Sequence, residues 1–117
     1  MKPYEFEQLV CDHYRQKGYR VQTTSASNDY GIDVFAEKKG EKIAVQVKMY
    51  GGSTRKVNRQ TMMELYGAAA YFDCTKAVLA TDGEVLTDAK EVAHKLGIDI
   101  LFIQPDRKIS MPSASSA

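Results

Sequence analysis

The chain has almost no net charge. Sixteen Lys and Arg against 15 Asp and Glu leave +1 over 117 residues. Nothing global therefore demands nucleic acid or a membrane, and any electrostatic binding surface must be local. No apolar stretch approaches the roughly 18 residues that a bilayer-spanning helix needs, and the opening MKPYEFEQLV lacks the apolar run of a signal peptide. A soluble, cytoplasmic protein with no membrane partner is the expectation. Cysteine is scarce: Cys11 and Cys74 lie far apart and form no CxxC pair, so both read as reduced core thiols. His13 and His94 have no metal-ligand spacing and read as surface residues. GGSTRK lacks the Gly-Lys-Ser/Thr ending of a P-loop, and no internal repeat is present.

What remains is one domain, with 44% hydrophobic residues, long enough to bury a modest core without staples. Phe6, Leu9, Val10 and Tyr14 recur at helical spacing over residues 4–17, and Gly18 supplies a stop. A strand is expected over 19–24, then a Ser-Ala-Ser-Asn-Asp loop, then a hairpin over 31–48. After GGSTRK, where Ser53 or Thr54 is expected to cap, a helix over about 57–72 presents Met62, Leu65, Ala69 and Phe72 on one face. Met63 is read as core beside Met62. A short strand over 77–81, a helix over 87–96 ended by Gly97, and a strand over 98–103 complete the order αβββαβαβ. The fold class is α/β, an αβββαβ core with a mixed β-sheet flanked by helices. Residues 1–103 form the domain and 104–117 a flexible tail or linker.

The hairpin GIDVFAEKKGEKIAVQVK carries polar groups where a core sheet should be apolar. With a four-residue turn at 38–41, Glu37 faces Lys42, Phe35 faces Ala44 and Asp33 faces Gln46. Period-two alternation then puts Asp33, Gln46 and Lys48 on one face, and Ile32, Val34, Ala36, Ile43, Val45 and Val47 on the other. One reading is a wet sheet face with an Asp–Lys pair worth about 0–1 kcal/mol. The other is chemical. Asp33 and Gln46 offer hard oxygen ligands suited to Mg2+, and Lys48 a point charge where a phosphoryl-transfer transition state builds negative charge. Gln46 is neutral, so the ion needs another anion, which the first helix offers in Glu5, Glu7 or Asp12. Arg55, Lys56 and Arg59 sit near a helix start, where they either hold DNA phosphates or form an exposed basic turn.

FEQLVCDHYRQKGYRV, GIDVFAEKKGEKIAVQVK and MELYGAAAYFDCTKAVLAT, in that order, resemble the Mrr-like restriction endonuclease catalytic domain. This is the branch of the PD-(D/E)xK nuclease superfamily whose last motif reads QxK. The resemblance covers residues 4–103 and rests chiefly on 31–33, 46–48 and 64–68. It implies a Mg2+-dependent endodeoxyribonuclease, with Mn2+ able to substitute, acting in restriction–modification or phage defence. By matching position it implies Asp33 as metal ligand, Gln46 in place of the usual second acid, Lys48 as catalytic lysine and Glu7 as the helix-borne acid. The chain departs from the family in two ways. Tyr30 stands where a second glycine is usual, and these 117 residues hold no separate DNA-recognition domain of the kind many relatives carry, so sequence choice is expected from such a domain beyond the tail or on a partner subunit. A homodimer is expected on DNA. The alternative is a non-catalytic nucleic-acid-binding or assembly module on the same fold, or a resolvase of branched DNA.

Overall fold

Pro3 fixes the first helical turn, and Glu5 accepts a hydrogen bond from the Lys2 backbone N–H at 3.0 Å, so the chain enters α1 (Pro3–Gln16) at once. The structure, a computed structural model, describes residues 1–24 and 30–104. The expected loop at 25–29 and the expected tail from 105 onward lie outside them. After Gly18, which takes up a positive φ of 89°, come β1 (Arg20–Thr23), β2 (Val34–Lys38) and β3 (Glu41–Lys48). Then follow α2 (Arg59–Tyr71), β4 (Lys76–Thr81), α3 (Thr87–Leu96) and β5 (Asp99–Phe102). The strands stand in the order β1-β2-β3-β4-β5. The first three are antiparallel, and β3-β4-β5 are parallel because α2 and α3 carry the crossovers. The expected α/β class and element order are found.

Helices cover both faces. Phe6, Val10, Cys11 and Tyr14 of α1 bury Val34, Ala36, Ile43, Val45, Val78, Ala80 and Leu101. Met62, Leu65 and Ala69 of α2, with Ala89 and Ala93 of α3, bury Ile32, Ala44 and Leu79. Met63 points outward, contrary to expectation, because the period of α2 places it between core positions. Cys11 is buried and Cys74 half-buried, and both are free thiols. His94 is exposed, whereas His13 is half-buried with its ring edge-on to Tyr14. Ser53 and Thr54 do not cap α2. Ser53 turns its hydroxyl back to the Tyr50 carbonyl, and Asn58 accepts the Thr61 N–H instead.

The β2–β3 register is the expected one: Glu37 opposes Lys42 and Phe35 opposes Ala44. Lys39 and Gly40, with φ of 48° and 81°, form the two-residue turn. The alternation breaks at the other end. β2 begins at Val34, and the Asp33 N–H bonds to the Val45 carbonyl at 2.9 Å. Thr24 holds the Ile32 carbonyl through its hydroxyl at 2.8 Å and the Asp33 carbonyl through its N–H at 3.1 Å. Ile32 consequently packs beneath α2 while Val34 packs beneath α1, so the expected single apolar face does not include Ile32. Asp33 therefore lies outside the ladder and does not stand as a regular cross-strand partner of Gln46.

No helix among the described residues is long and apolar enough to cross a membrane.

Candidate active site

Leaving the ladder gives Asp33 its orientation. Its Oδ2 accepts the Val47 backbone N–H at 2.7 Å, a charge-assisted bond that fixes the carboxylate against β3. Of the three acids on α1, Glu5 is engaged with the Lys2 N–H and Asp12 pairs with Arg15 at 3.3 Å. Glu7 is the one whose charge meets Asp33. Burial pushes the Glu7 carboxyl above its ordinary range, and the negative charge of Asp33 pushes it further. The negative charge at the start of the hairpin is thus felt by Glu7 on α1.

Gln46 follows Ala44 on the α2 side of β3 and is only 7% exposed. Its Oε1 is buried with no hydrogen-bond partner among the described residues. A buried acceptor left unpaired costs about 1–3 kcal/mol, so the oxygen is poised for a donor or a cation. Gly31 explains how Gln46 fits: its φ is 87°, and a Cβ there would stand 2.9 Å from Gln46 Nε2. Lys48 shares that side of the strand. Its carbonyl accepts the buried Thr81 hydroxyl at 2.7 Å, which pins the end of β3 to β4. Its Nζ lies 5.9 Å from the centre of the Tyr50 ring.

Lys48, Tyr50, Arg55, Lys56, Asn58, Gln60, Thr61 and Glu64 line a polar cavity of about 390 Å3. The Arg55 guanidinium stacks on Tyr50 at 4.4 Å, and Lys56 stands 3.8 Å from Glu84. Arg59 is not brought to this cavity. Its guanidinium pairs with Asp88 of α3 at 2.8 Å. Sequence reasoning missed Glu64, which Gln60 Nε2 contacts at 3.2 Å. Glu64 also lines a second cavity, of about 620 Å3, with Gln46, Tyr30, Gly31, Gly67, Ala68 and Tyr71. The signal for it was the polar alternation of Gln46 and Lys48 opposite α2, which requires polar company from that helix.

Among the described residues no group of three or more His, Cys, Asp or Glu could hold a metal ion. The oxygens on offer are instead the carboxylates of Asp33 and Glu7, each within reach of the other's charge, and the orphaned amide oxygen of Gln46 on the α2 side of β3. Such a set fits a hard divalent cation that retains waters and shares a substrate phosphate. It does not fit a dry, all-protein cage.

Comparison with known proteins places the chain in a family. The Mrr_cat family, described as restriction endonuclease, matches residues 1–108. The uncharacterized protein y4cE of Sinorhizobium fredii (strain NBRC 101917 / NGR234) is 34% identical over 98 residues, covering 74% of this chain and 25% of that protein. Among solved structures, the protein of unknown function AF1548 superposes with a TM-score of 0.65 at 20% identity, covering 82% of this chain and 56% of that one. The MspJI restriction endonuclease, solved in complex with a 27-mer oligonucleotide, gives a TM-score of 0.56 at 15% identity, covering 83% of this chain and 24% of its own. These two likenesses establish the fold, and the chain spans about a quarter of y4cE and of MspJI. With its match running over residues 1–108, this chain belongs to the Mrr_cat family of restriction endonuclease domains.

Proposed function

We propose that this chain hydrolyses DNA phosphodiester bonds as a divalent-metal-dependent endonuclease, with Mg2+ as the working ion and Mn2+ able to substitute, in restriction or phage defence. One observation carries the reading: the buried Gln46 oxygen has no partner among the described residues, in a hairpin whose Asp33 carboxylate also meets the negative charge of Glu7. That combination raises the energy of the metal-free site and is relieved by a cation. The ion, when bound, supplies Lewis-acid polarisation of the phosphoryl oxygen.

The chain's own residues do the rest. Asp33, oriented by the Val47 N–H, and Gln46 act as metal ligands, and Glu7 adds the second charge. Lys48 places its ammonium where negative charge develops on the phosphoryl group. Arg55 and Lys56 hold flanking phosphates in the cavity that Lys48 also lines. Arg59 lies outside that cavity in an exposed pair with Asp88, and would reach a phosphate only by leaving that pair. DNA as substrate is supported by the oligonucleotide bound to the fold neighbour MspJI. Sequence choice would come from a separate recognition domain or subunit.

The test is incubation of purified protein with supercoiled, linear, methylated and four-way-junction DNA, with and without Mg2+. Metal-dependent cleavage is expected, and Lys48→Met should abolish most of it. Binding without cleavage in Mg2+ or Mn2+ would assign the fold to a binding or assembly module. Cleavage confined to the junction would assign it to a resolvase.

A further inference from the structure

We propose that the cavity beside Gln46 is a pocket for an unpaired nucleobase, so that the preferred DNA carries a base out of the helix next to the cut. This rests on the nuclease reading above and names a feature of its substrate. Four observations converge. Tyr30 holds a positive φ of 51°, a conformation that a bulky residue adopts rarely and that the adjacent Gly31 shares without strain. Its ring is 65% exposed and meets the ring of Tyr71, itself 67% exposed, edge-on at 5.2 Å. The two rings therefore form a stepped aromatic shelf, edge to face rather than coplanar, with surface open to solvent on each residue. Gly67, a glycine in the interior of α2, lines the same cavity as the two rings and Gln46. A Cβ on Gly67 would meet nothing within 4 Å among the described residues, so no contact there requires this helix-weakening residue. Its effect is to keep the groove clear.

The volume of about 620 Å3 lies within the roughly 300–1,000 Å3 of small-ligand pockets. The neighbouring surroundings identify the occupant. Glu64 lines both this cavity and the one holding Lys48, Arg55 and Lys56. A cationic cavity for phosphates beside an aromatic shelf for a planar ring is the arrangement that binds single-stranded nucleic acid. A fully stacked duplex cannot insert a base there unless that base leaves the stack.

The test is fluorescence anisotropy in Ca2+, which supports binding without turnover. The probes are a labelled paired duplex and the same duplex with one central unpaired adenine. Tyr71→Ala, and Gly67→Leu to fill the groove, should weaken binding of the bulged duplex by roughly 5- to 150-fold, the span of one base–aromatic stack. Both should leave the paired duplex nearly unaffected, and Tyr71→Phe, which keeps the ring, should bind like the parent. Gly67→Leu guards against misfolding, because leucine favours the helix and the variant should melt no lower. Equal weakening on both probes, or none on either, would overturn the proposal. So would a variant that changes only the oligomeric state, which would make the shelf a contact between copies. Failure of cleavage in every divalent metal would defeat the nuclease reading alone, since the ring dependence is read without cleavage.

Discussion

Lys48 stands at the end of a strand whose last carbonyl is already held by Thr81, so its side chain can be altered without releasing β3. Lys48→Met keeps most of the stem and deletes the charge. Single-turnover cleavage should fall by about 10²–10³, while DNA affinity in Ca2+ and the melting temperature stay close to the parent's. A parent-like rate would remove Lys48 from the chemistry. Gln46→Glu restores the acid used across most of the superfamily and should retain activity. It also puts a carboxylate at a position that is only 7% exposed, so it should melt lower in EDTA and gain more from Mg2+ than the parent does. Glu7 makes a prediction about pH. Its folded pKa lies above its ordinary value of 4.5, so the folded state binds more protons there than the unfolded state. Stability attributable to Glu7 is therefore highest below 4.5 and declines as pH rises through the folded pKa. Glu7→Gln should leave low-pH melting unchanged and raise metal-free melting relative to the parent above that window. Thermal scans in EDTA across pH check the sign. At this scale the sequence was informative about Gln46 and Lys48, which period two sets on one side of β3. It was silent on where Asp33 leaves the ladder, because that depends on Thr24 holding the backbone of Ile32 and Asp33.

Helix boundaries follow the side chains that satisfy their first N–H groups. Asn58 performs that task for α2, accepting both the Thr61 N–H and the Thr61 hydroxyl. Asn58→Ala should cost about 0.5–2 kcal/mol in urea unfolding, whereas Thr54→Ala should be nearly neutral. Reversal of that order would mean that α2 starts earlier than observed. Several elements were legible in the sequence: α3 over 87–96 was readable to the residue, because Gly97 marks its end with a φ of 72°. The start of α2 was not, because Ser53 is as good a cap by type as Asn58 and differs only in bonding back to Tyr50. Glu64 was hidden for a related reason. Along α2 it is one exposed polar residue among several, and only the packing of α2 over β3 brings it to both cavities.

Across the whole molecule, one site can cut one strand, so double-strand cleavage by this domain needs two copies related by a twofold axis. We expect light scattering to find a dimer on duplex DNA, with exposed surface of α2 or α3 at the contact. A monomer on duplex that still gives clean double-strand breaks would refute this. The overall architecture was legible because alternating and helical periodicities are local, whereas the cavities arise between elements distant in sequence. The mixed sheet also bears on how the chain reaches this state. Asp33, Gln46 and Lys48 all belong to the segment around a tight Lys39–Gly40 turn, whose strands meet with little loop to close. β4 and β5 can join in parallel only after whole helices have formed and crossed over. The segment bearing Asp33, Gln46 and Lys48 should thus be in place at the folding transition state, ahead of the helices that wall the cavities. In stopped-flow chevrons, Gly40→Ala should chiefly slow folding and Ala93→Gly in α3 chiefly hasten unfolding.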